Sequence, residues 1–185
     1  LNPAITLGVW LSGRMRALDV AFYIIAQVFG ALIAGLVLFG AVWSIQDVTV
    51  DVTRGFMATA ANGWGDYAPL AASGLTFGPW VAFVVEVVAT GLLVAAALGA
   101  TKLSSHPAAA PFVIGTALAF LLVLTIPFTN GALNPARATA TAVFGEAGNA
   151  AQLWMFWLAP LVGGAIAGLM FRLFGPAGDL LDWSE

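Results

Sequence analysis

The sequence contains no cysteine and little charge, with lysine, arginine, aspartate and glutamate making up 8% of its 185 residues. Without cysteine the chain forms neither a disulfide framework nor a thiolate metal site. Soluble domains carry about 25% charged residues, so the scarcity of charge excludes an ordinary soluble domain. The net charge of −3 is too small to indicate a nucleic-acid partner.

Hydrophobic residues and glycine are abundant instead, at 61% of the chain and 21 residues respectively. Frequent glycine is typical of helices that approach one another closely in lipid. A helix needs about 20 apolar residues to cross a bilayer. Four segments meet that length, and we therefore predict an all-α membrane protein with spans at residues 20–43, 77–100, 108–128 and 153–174.

Two further apolar stretches, residues 3–11 and 135–144, are too short to cross a bilayer. At about 1.5 Å of rise per residue, each covers less than half of the membrane thickness. Apolar stretches of this length in a membrane protein are typical of re-entrant segments. We predict two re-entrant half-helices at these positions.

The basic residues are distributed unevenly around the predicted spans. With alternating topology, one face receives Arg14, Arg16, Lys102 and Arg172, whereas the other receives the loop of residues 44–76. That loop carries three aspartates and a single arginine. Because cytoplasmic loops carry the excess of lysine and arginine, the basic face is predicted to be cytoplasmic.

The sequence also contains an internal repeat. Leu-Asn-Pro-Ala at residues 1–4 recurs 132 positions later at 133–136, and Ala-Gly-Leu at 34–36 recurs at 167–169. Two matches at nearly one offset indicate a duplicated unit. Since three spans lie between the copies, the second unit is inverted, and inverted repeats with broken helices place a pathway at their interface. The repeat predicts two further spans upstream of Leu1.

Each copy of the repeat begins a half-helix with Asn followed by Pro, at Asn2 and Pro3 and at Asn134 and Pro135. Asn suits the N-cap and Pro the first helical turn, so ordinary helix starts are one interpretation. In inverted half-helices these starts bring two positive helix ends, each of about +0.5 charge, face to face. Such a centre suits neutral water and repels cations, with both Asn amides as the predicted donors to water.

Four stretches, LNPAITLGVW, AQVFGALIAG, IPFTNGALNPARATATAVF and QLWMFWLAPLVGG, make the chain resemble the aquaporin (major intrinsic protein) family, and within it the bacterial water channels. The resemblance extends over essentially the whole chain. It implies an inverted repeat of six spans and two half-helices, of which this chain would hold four spans and both half-helices. It also implies a homotetramer in a prokaryotic cell membrane, in contact with lipid, with one pore per subunit and no cofactor.

Arg137 lies in the first turn of the second half-helix, within an apolar stretch. The helix dipole and the apolar surroundings both disfavour a cation there. A charged residue placed against both preferences is typical of a functional site. The alternative is an arginine whose side chain extends to the lipid headgroups. The resemblance implies that Arg137 lines the narrowest part of the pore, and aquaporins are themselves the standard example of pores that exclude protons and cations with an arginine and half-helix dipoles.

The resemblance assigns further residues to the pore. Leu122 stands where the water channels of the family usually have His, which removes a polar wall and leaves the passage of glycerol or another small neutral solute open. Gly131 is a small residue that exposes backbone carbonyls, and Ala132 and Leu133 complete the predicted lining. Ala138 stands where glycerol channels carry Asp, which favours water as the main substrate.

Glu86 and Gln27 lie inside predicted spans. An intramembrane carboxylate is often a proton relay, which leaves a proton-coupled secondary transporter as an alternative function. The resemblance implies instead that both side chains brace the re-entrant loops, whose backbone groups need partners inside the membrane. Pro3 and Pro135 support the same region as the first residues of the half-helices.

The predicted function is therefore a passive transmembrane water channel without enzymatic activity, since no pattern indicates a nucleophile with a base, a metal cluster or a phosphate loop. A channel for glycerol, a proton-coupled transporter and a fragment that encloses no pore are the alternatives. Asp179, Asp182 and Glu185 are predicted to belong to a flexible acidic tail.

Overall fold

The computed structural model describes residues 1–102 and 105–176, and the predicted acidic tail lies outside the described residues. Within these ranges the chain forms helices and turns but no β-strand. The prediction of an all-α fold is confirmed. The described α-helices, in chain order, are α1 Pro3–Leu11, α2 Ala17–Trp43, α3 Val50–Ala60, α4 Pro79–Ala100, α5 Ala110–Thr129, α6 Pro135–Phe144, α7 Ala147–Gln152 and α8 Met155–Phe174.

Four stretches of helix are long and apolar enough to cross a membrane: Ala17–Trp43, Pro79–Ala100, Pro107–Thr129 and Ala147–Phe174. Charge and proline explain where the first two begin. Helix α2 starts at Ala17 rather than at residue 20, because Asp19 in its first turn pairs with Arg16 at 2.9 Å and suits the positive helix end. Helix α4 starts at Pro79, a residue favoured in the first turn.

The loop between α2 and α4 contains a helix that hydropathy did not predict. Thr49 caps α3, because its side-chain oxygen accepts a hydrogen bond from the backbone N–H of Val52 at 3.3 Å. Helix α3 packs against α2 and α6. At 11 residues it is too short to cross a bilayer, and it lies against the second half-helix instead.

The half-helix α1 is buried against α8 by small residues. A Cβ added at Gly164 would lie 2.5 Å from the carbonyl oxygen of Ala4, and one at Gly168 would lie 2.5 Å from that of Gly8. Real Cβ atoms do not approach oxygen so closely, so only glycine at these positions permits the observed helix separation.

The half-helix α6 packs against α2 in the corresponding way. A Cβ at Gly35 would lie 3.1 Å from the carbonyl oxygen of Ala140. Gly35 and Ala140 are the repeat counterparts of Gly168 and Gly8. The same pair of contacts recurs in both halves, as expected of the repeat that the sequence predicts.

Arg14 contacts the ends of α4 and α8, next to Lys102 and Arg172, with which it is predicted to share a face. The guanidinium of Arg14 donates to the carbonyl oxygens of Leu98, at 3.2 Å, and Thr101. It also lies 5.6 Å from the ring centroid of Phe171, next to Arg172. The end of α1 and the last turns of α4 and α8 are therefore on one side of the protein.

Candidate functional site

The two Asn-Pro starts have nearly identical local geometry. Asn2 has φ −150° and ψ 116°, and its side-chain oxygen accepts a hydrogen bond from the N–H of Ala4 at 2.9 Å. Asn134 has φ −151° and ψ 108°, and its side-chain oxygen accepts from the N–H of Ala136 at 3.0 Å. Each Asn is thus a helix N-cap that satisfies one of the orphan N–H groups of its half-helix.

Each Asn also reaches across to the other motif. Nδ2 of Asn2 donates to the carbonyl oxygen of Leu133 at 2.7 Å, and Nδ2 of Asn134 donates to that of Leu1 at 2.9 Å. The two starts are therefore in direct contact, and their positive helix ends converge. Because a primary amide has two N–H groups, each Asn keeps one that these bonds do not use.

The segment before Asn134 adopts a backbone that few residues tolerate. Asn130, Gly131 and Leu133 have φ values of 61°, 56° and 52°. A Cβ at Gly131 would also lie 2.7 Å from Cδ2 of Leu122 and 2.8 Å from Oγ1 of Thr125. Glycine is thus required at 131 both by its left-handed backbone and by lack of space.

Glu86 holds this segment. The buried carboxylate accepts hydrogen bonds from the hydroxyl of Thr129 at 2.5 Å and from the N–H groups of Ala132 and Leu133, both at 2.9 Å. A left-handed Leu133 costs about 1–3 kcal/mol of strain. The charge-assisted hydrogen bonds that Glu86 accepts offset that cost and satisfy backbone N–H groups that would otherwise lack partners inside the membrane.

Gln27 contacts a different element from the one that the family resemblance implies. Its Nε2 donates to Oγ1 of Thr6 at 2.8 Å, so it contacts the half-helix α1 rather than a re-entrant loop. Its Oε1 is buried without a hydrogen-bond partner among the described residues. Gln27 therefore ties α2 to α1 through a side chain, which hydropathy alone could not reveal.

The guanidinium of Arg137 is oriented by the loop that follows α3. Nη1 donates to Oδ1 of Asn62 at 2.9 Å, and Nη2 donates to the carbonyl oxygen of Ala60 at 3.4 Å. The side chain is half-buried. Arg137 is therefore held inside the protein by specific acceptors and does not extend freely to the headgroup region.

The remaining predicted pore residues differ in what they expose. Ala132 and Leu133 are buried, at 1% and 0% exposure, with their side chains in separate apolar clusters. Their N–H groups are bound by Glu86 and the carbonyl oxygen of Leu133 accepts from Asn2. Leu122 is half-buried beside Gly131. A groove of about 410 Å³ between α2 and α6 brings Asn134 and Arg137 to one surface.

Sequence reasoning missed Asn62 and Asn130, which join the loop after α3 to the segment before α6. Nδ2 of Asn130 donates to the carbonyl oxygens of Thr59 and Ala61 at 2.8 and 3.0 Å. The Asn-Gly pair at residues 62–63 signals a turn, but nothing in it predicts a partner 75 residues away.

The comparisons with known proteins agree with this architecture. The sequence profile of one family, Major intrinsic protein, matches residues 1–171. The chain is 40% identical over 173 residues to Aquaporin Z of Photorhabdus laumondii subsp. laumondii. This alignment covers 93% of the chain and 71% of that protein. It is 38% identical over 176 residues to Aquaporin Z of Rhodopseudomonas palustris, with coverage of 95% and 69%. Aquaporin Z of Bradyrhizobium diazoefficiens is 39% identical over 172 residues, with coverage of 93% and 68%.

Proposed function

The chain belongs to the major intrinsic protein family, a family of channels rather than enzymes, and we propose that it forms a pore that conducts water across the membrane and excludes protons. Its four apolar helices make it a multi-pass protein of the cell membrane. Relatives named Aquaporin Z at about 40% identity support water as the transported molecule.

The observation that carries the proposal is the contact between the two Asn-Pro starts. Asn2 and Asn134 each cap a half-helix and bind the residue before the other Asn. The remaining N–H of each amide supplies a donor to a water oxygen. Because both half-helices point their positive ends at this place, a neutral water is accepted while a cation or hydronium is repelled.

Arg137 adds a second barrier. Its guanidinium is fixed by Asn62 and Ala60 in the first turn of α6, close to Asn134. A fixed positive charge donates hydrogen bonds to water and raises the energy of any cation that approaches. We assign Arg137 to the filter on this basis, with Leu122 and the backbone of Gly131, Ala132 and Leu133 as its other walls.

Glu86 is proposed to be structural. Its two oxygens accept three hydrogen bonds from the segment of residues 129–133, and within residues 1–102 and 105–176 no other titratable side chain is a hydrogen-bond partner. A relay needs a second group that exchanges the proton. Gln27, Pro3 and Pro135 support the half-helices in the same structural sense.

A channel for glycerol or other small neutral solutes is the second candidate. It is favoured by Leu122, whose methyl group lies against Gly131 and makes that wall of the filter apolar. Hydrophobic pockets discriminate poorly between molecules of similar size. Such a filter would admit neutral solutes slightly larger than water.

We also propose that the protein forms a homotetramer surrounded by lipid, as the family resemblance implies. Helices α2 and α5 expose large apolar side chains along their outer surfaces, including Phe22, Phe29, Phe112 and Phe120. These surfaces are available to lipid tails or to a neighbouring subunit.

The direct test is stopped-flow light scattering of proteoliposomes after an osmotic step. We expect water efflux far above that of empty liposomes, with a low activation energy and no proton current under a pH gradient. Arg137→Val is the matched variant, and we expect it to admit protons or cations. Water flux equal to that of empty liposomes, or solute uptake that depends on a proton gradient, would contradict the proposal.

A further inference from the structure

Arg137 is held only by neutral acceptors in the described part of the chain. Its partners are the amide oxygen of Asn62 and the carbonyl oxygen of Ala60. The one salt bridge found among the described residues joins Arg16 and Asp19, on the opposite side of the membrane segment. The guanidinium is therefore fixed in position while its positive charge stays uncancelled by a carboxylate in contact with it.

Asn62 has no freedom to turn away from Arg137. Its Nδ2 donates to the backbone carbonyl oxygen of Thr129 at 2.9 Å. Its backbone carbonyl oxygen accepts a hydrogen bond from Nδ2 of Asn149 at 3.3 Å. The residue is 2% exposed. A flip of the amide would place its N–H₂ group against the guanidinium and break the bond to Thr129, so the oxygen must face Arg137.

The same residue links Arg137 to the segment held by Glu86. Thr129, whose carbonyl accepts from Asn62, donates its hydroxyl to Glu86. Glu86 in turn holds the N–H groups of Ala132 and Leu133, next to Asn134. One connected network of hydrogen bonds thus sets the guanidinium relative to the half-helix starts, which rigidifies it more than separate bonds would.

We propose that Asn62 is a positioning residue that determines the specificity of the pore: its neutral oxygen orients the Arg137 guanidinium without cancelling its charge. This inference rests on the proposed channel function. Aspartate has nearly the same shape and would accept a stronger, charge-assisted hydrogen bond from Arg137, although it would lose the donor to the carbonyl oxygen of Thr129. It would also place a negative charge beside the guanidinium and remove the electrostatic barrier to cations.

The test compares Asn62→Asp with wild type in proteoliposomes and measures proton conductance relative to water flux. We expect this ratio to rise roughly tenfold or more, because a carboxylate at contact distance cancels most of the field of the guanidinium. Asn130→Asp is the matched control. It adds the same charge to the same region and likewise removes an amide donor to backbone carbonyls, here those of Thr59 and Ala61, but Asn130 does not bind Arg137. The control ratio should stay near that of wild type.

A double-mutant comparison separates positioning from simple structural support. Asn62→Ala should change the proton-to-water ratio when Arg137 is present and should add nothing in the Arg137→Val background. Nitrogen-15 NMR of arginine-labelled protein in bilayers gives a readout independent of flux. The two Nη signals of Arg137, distinct in wild type, should merge in Asn62→Ala as the guanidinium becomes free to rotate.

Several outcomes would overturn the inference. These are an unchanged ratio in Asn62→Asp, an equal rise in Asn130→Asp, an Asn62→Ala effect that persists without Arg137, or distinct Nη signals in Asn62→Ala. Failure of both Asn62 variants to fold while Asn130→Asp folds would assign Asn62 a purely structural role. A wild-type protein that conducts no water would contradict the proposed channel function itself. The outcomes for the Asn62 variants would contradict only the role of Asn62.

Discussion

At the scale of single residues, buried polar side chains hold the backbone where it is not helical. Glu86 satisfies two N–H groups of the segment before α6, and Asn2 satisfies the carbonyl of Leu133. Unpaired backbone groups inside a bilayer cost several kcal/mol each, so these side chains are essential to the re-entrant path. Function at this scale depends on which N–H and C=O groups these hydrogen bonds leave available to water.

Leu122→His tests the apolar wall of the proposed filter. Because the imidazole brings polar N–H groups to the wall beside Gly131, we expect the ratio of glycerol to water permeability to fall roughly tenfold. The measurement is stopped-flow light scattering of proteoliposomes under glycerol and impermeant-solute gradients.

Leu124→His is the control for this change, since Leu124 lies on the outer surface of the same helix and is 52% exposed. It should leave the permeability ratio as in wild type. A wild-type protein that passes no glycerol, together with no effect of Leu122→His on the ratio, would show that the apolar wall does not loosen the filter.

At the scale of helices, glycine contacts set how deep the half-helices lie. Gly164 and Gly168 of α8 touch the backbone of α1, and Gly35 of α2 touches that of α6. A hydrophobic driving force between helices is absent in lipid, so close backbone packing supplies much of the association energy. The same device in both repeats holds the two half-helices where their Asn-Pro starts are in contact.

Gly164→Ala should therefore destabilise the fold. Its Cβ would lie 2.5 Å from the carbonyl oxygen of Ala4, and such overpacking costs about 1–3 kcal/mol. Gly40→Ala is the matched control, because no atom lies within 4 Å of a Cβ at that position in α2. We expect this control to be neutral or stabilising by up to about 1 kcal/mol. Reversible unfolding in mixed micelles measures both, and equal stability of the two variants would argue against a role for the glycine contact.

At the scale of the whole molecule, charge sets the orientation in the membrane. Arg14 binds the carbonyl ends of α4 beside the end of α8, so the basic segments meet at one face. The loop of residues 44–76, with its three aspartates, connects the opposite ends of α2 and α4. The excess of lysine and arginine predicts that the first face is cytoplasmic.

The absence of cysteine makes this orientation simple to measure, since one introduced thiol has no background. We expect Ser73→Cys, in the exposed part of the acidic loop, to react with a membrane-impermeant thiol reagent in intact cells. His106→Cys, exposed in the loop between α4 and α5, should react only after the cells are opened. The reverse pattern of labelling would show that the protein is inserted the other way.

Much of this protein was predictable from the sequence, because the signals are local. Hydrophobic length indicates the spans, an Asn followed by Pro indicates a helix start, and the repeated Leu-Asn-Pro-Ala indicates the inverted halves. The family follows from the same motifs and is confirmed by the comparisons. The half-helices and the charged side chain of Arg137 were therefore identifiable as candidates without coordinates.

The tertiary structure alone decided which groups meet. The contact of Asn62 with Arg137 joins positions 75 residues apart, and that of Asn2 with the carbonyl of Leu133 joins positions 131 apart. Neither polar pattern nor hydropathy specifies such partners, since an amide accepts any donor of suitable geometry. The packing of α3 on α6 and of the half-helices on their glycines brings these groups within hydrogen-bond distance, and this long-range geometry determines which donors remain free for a passing water.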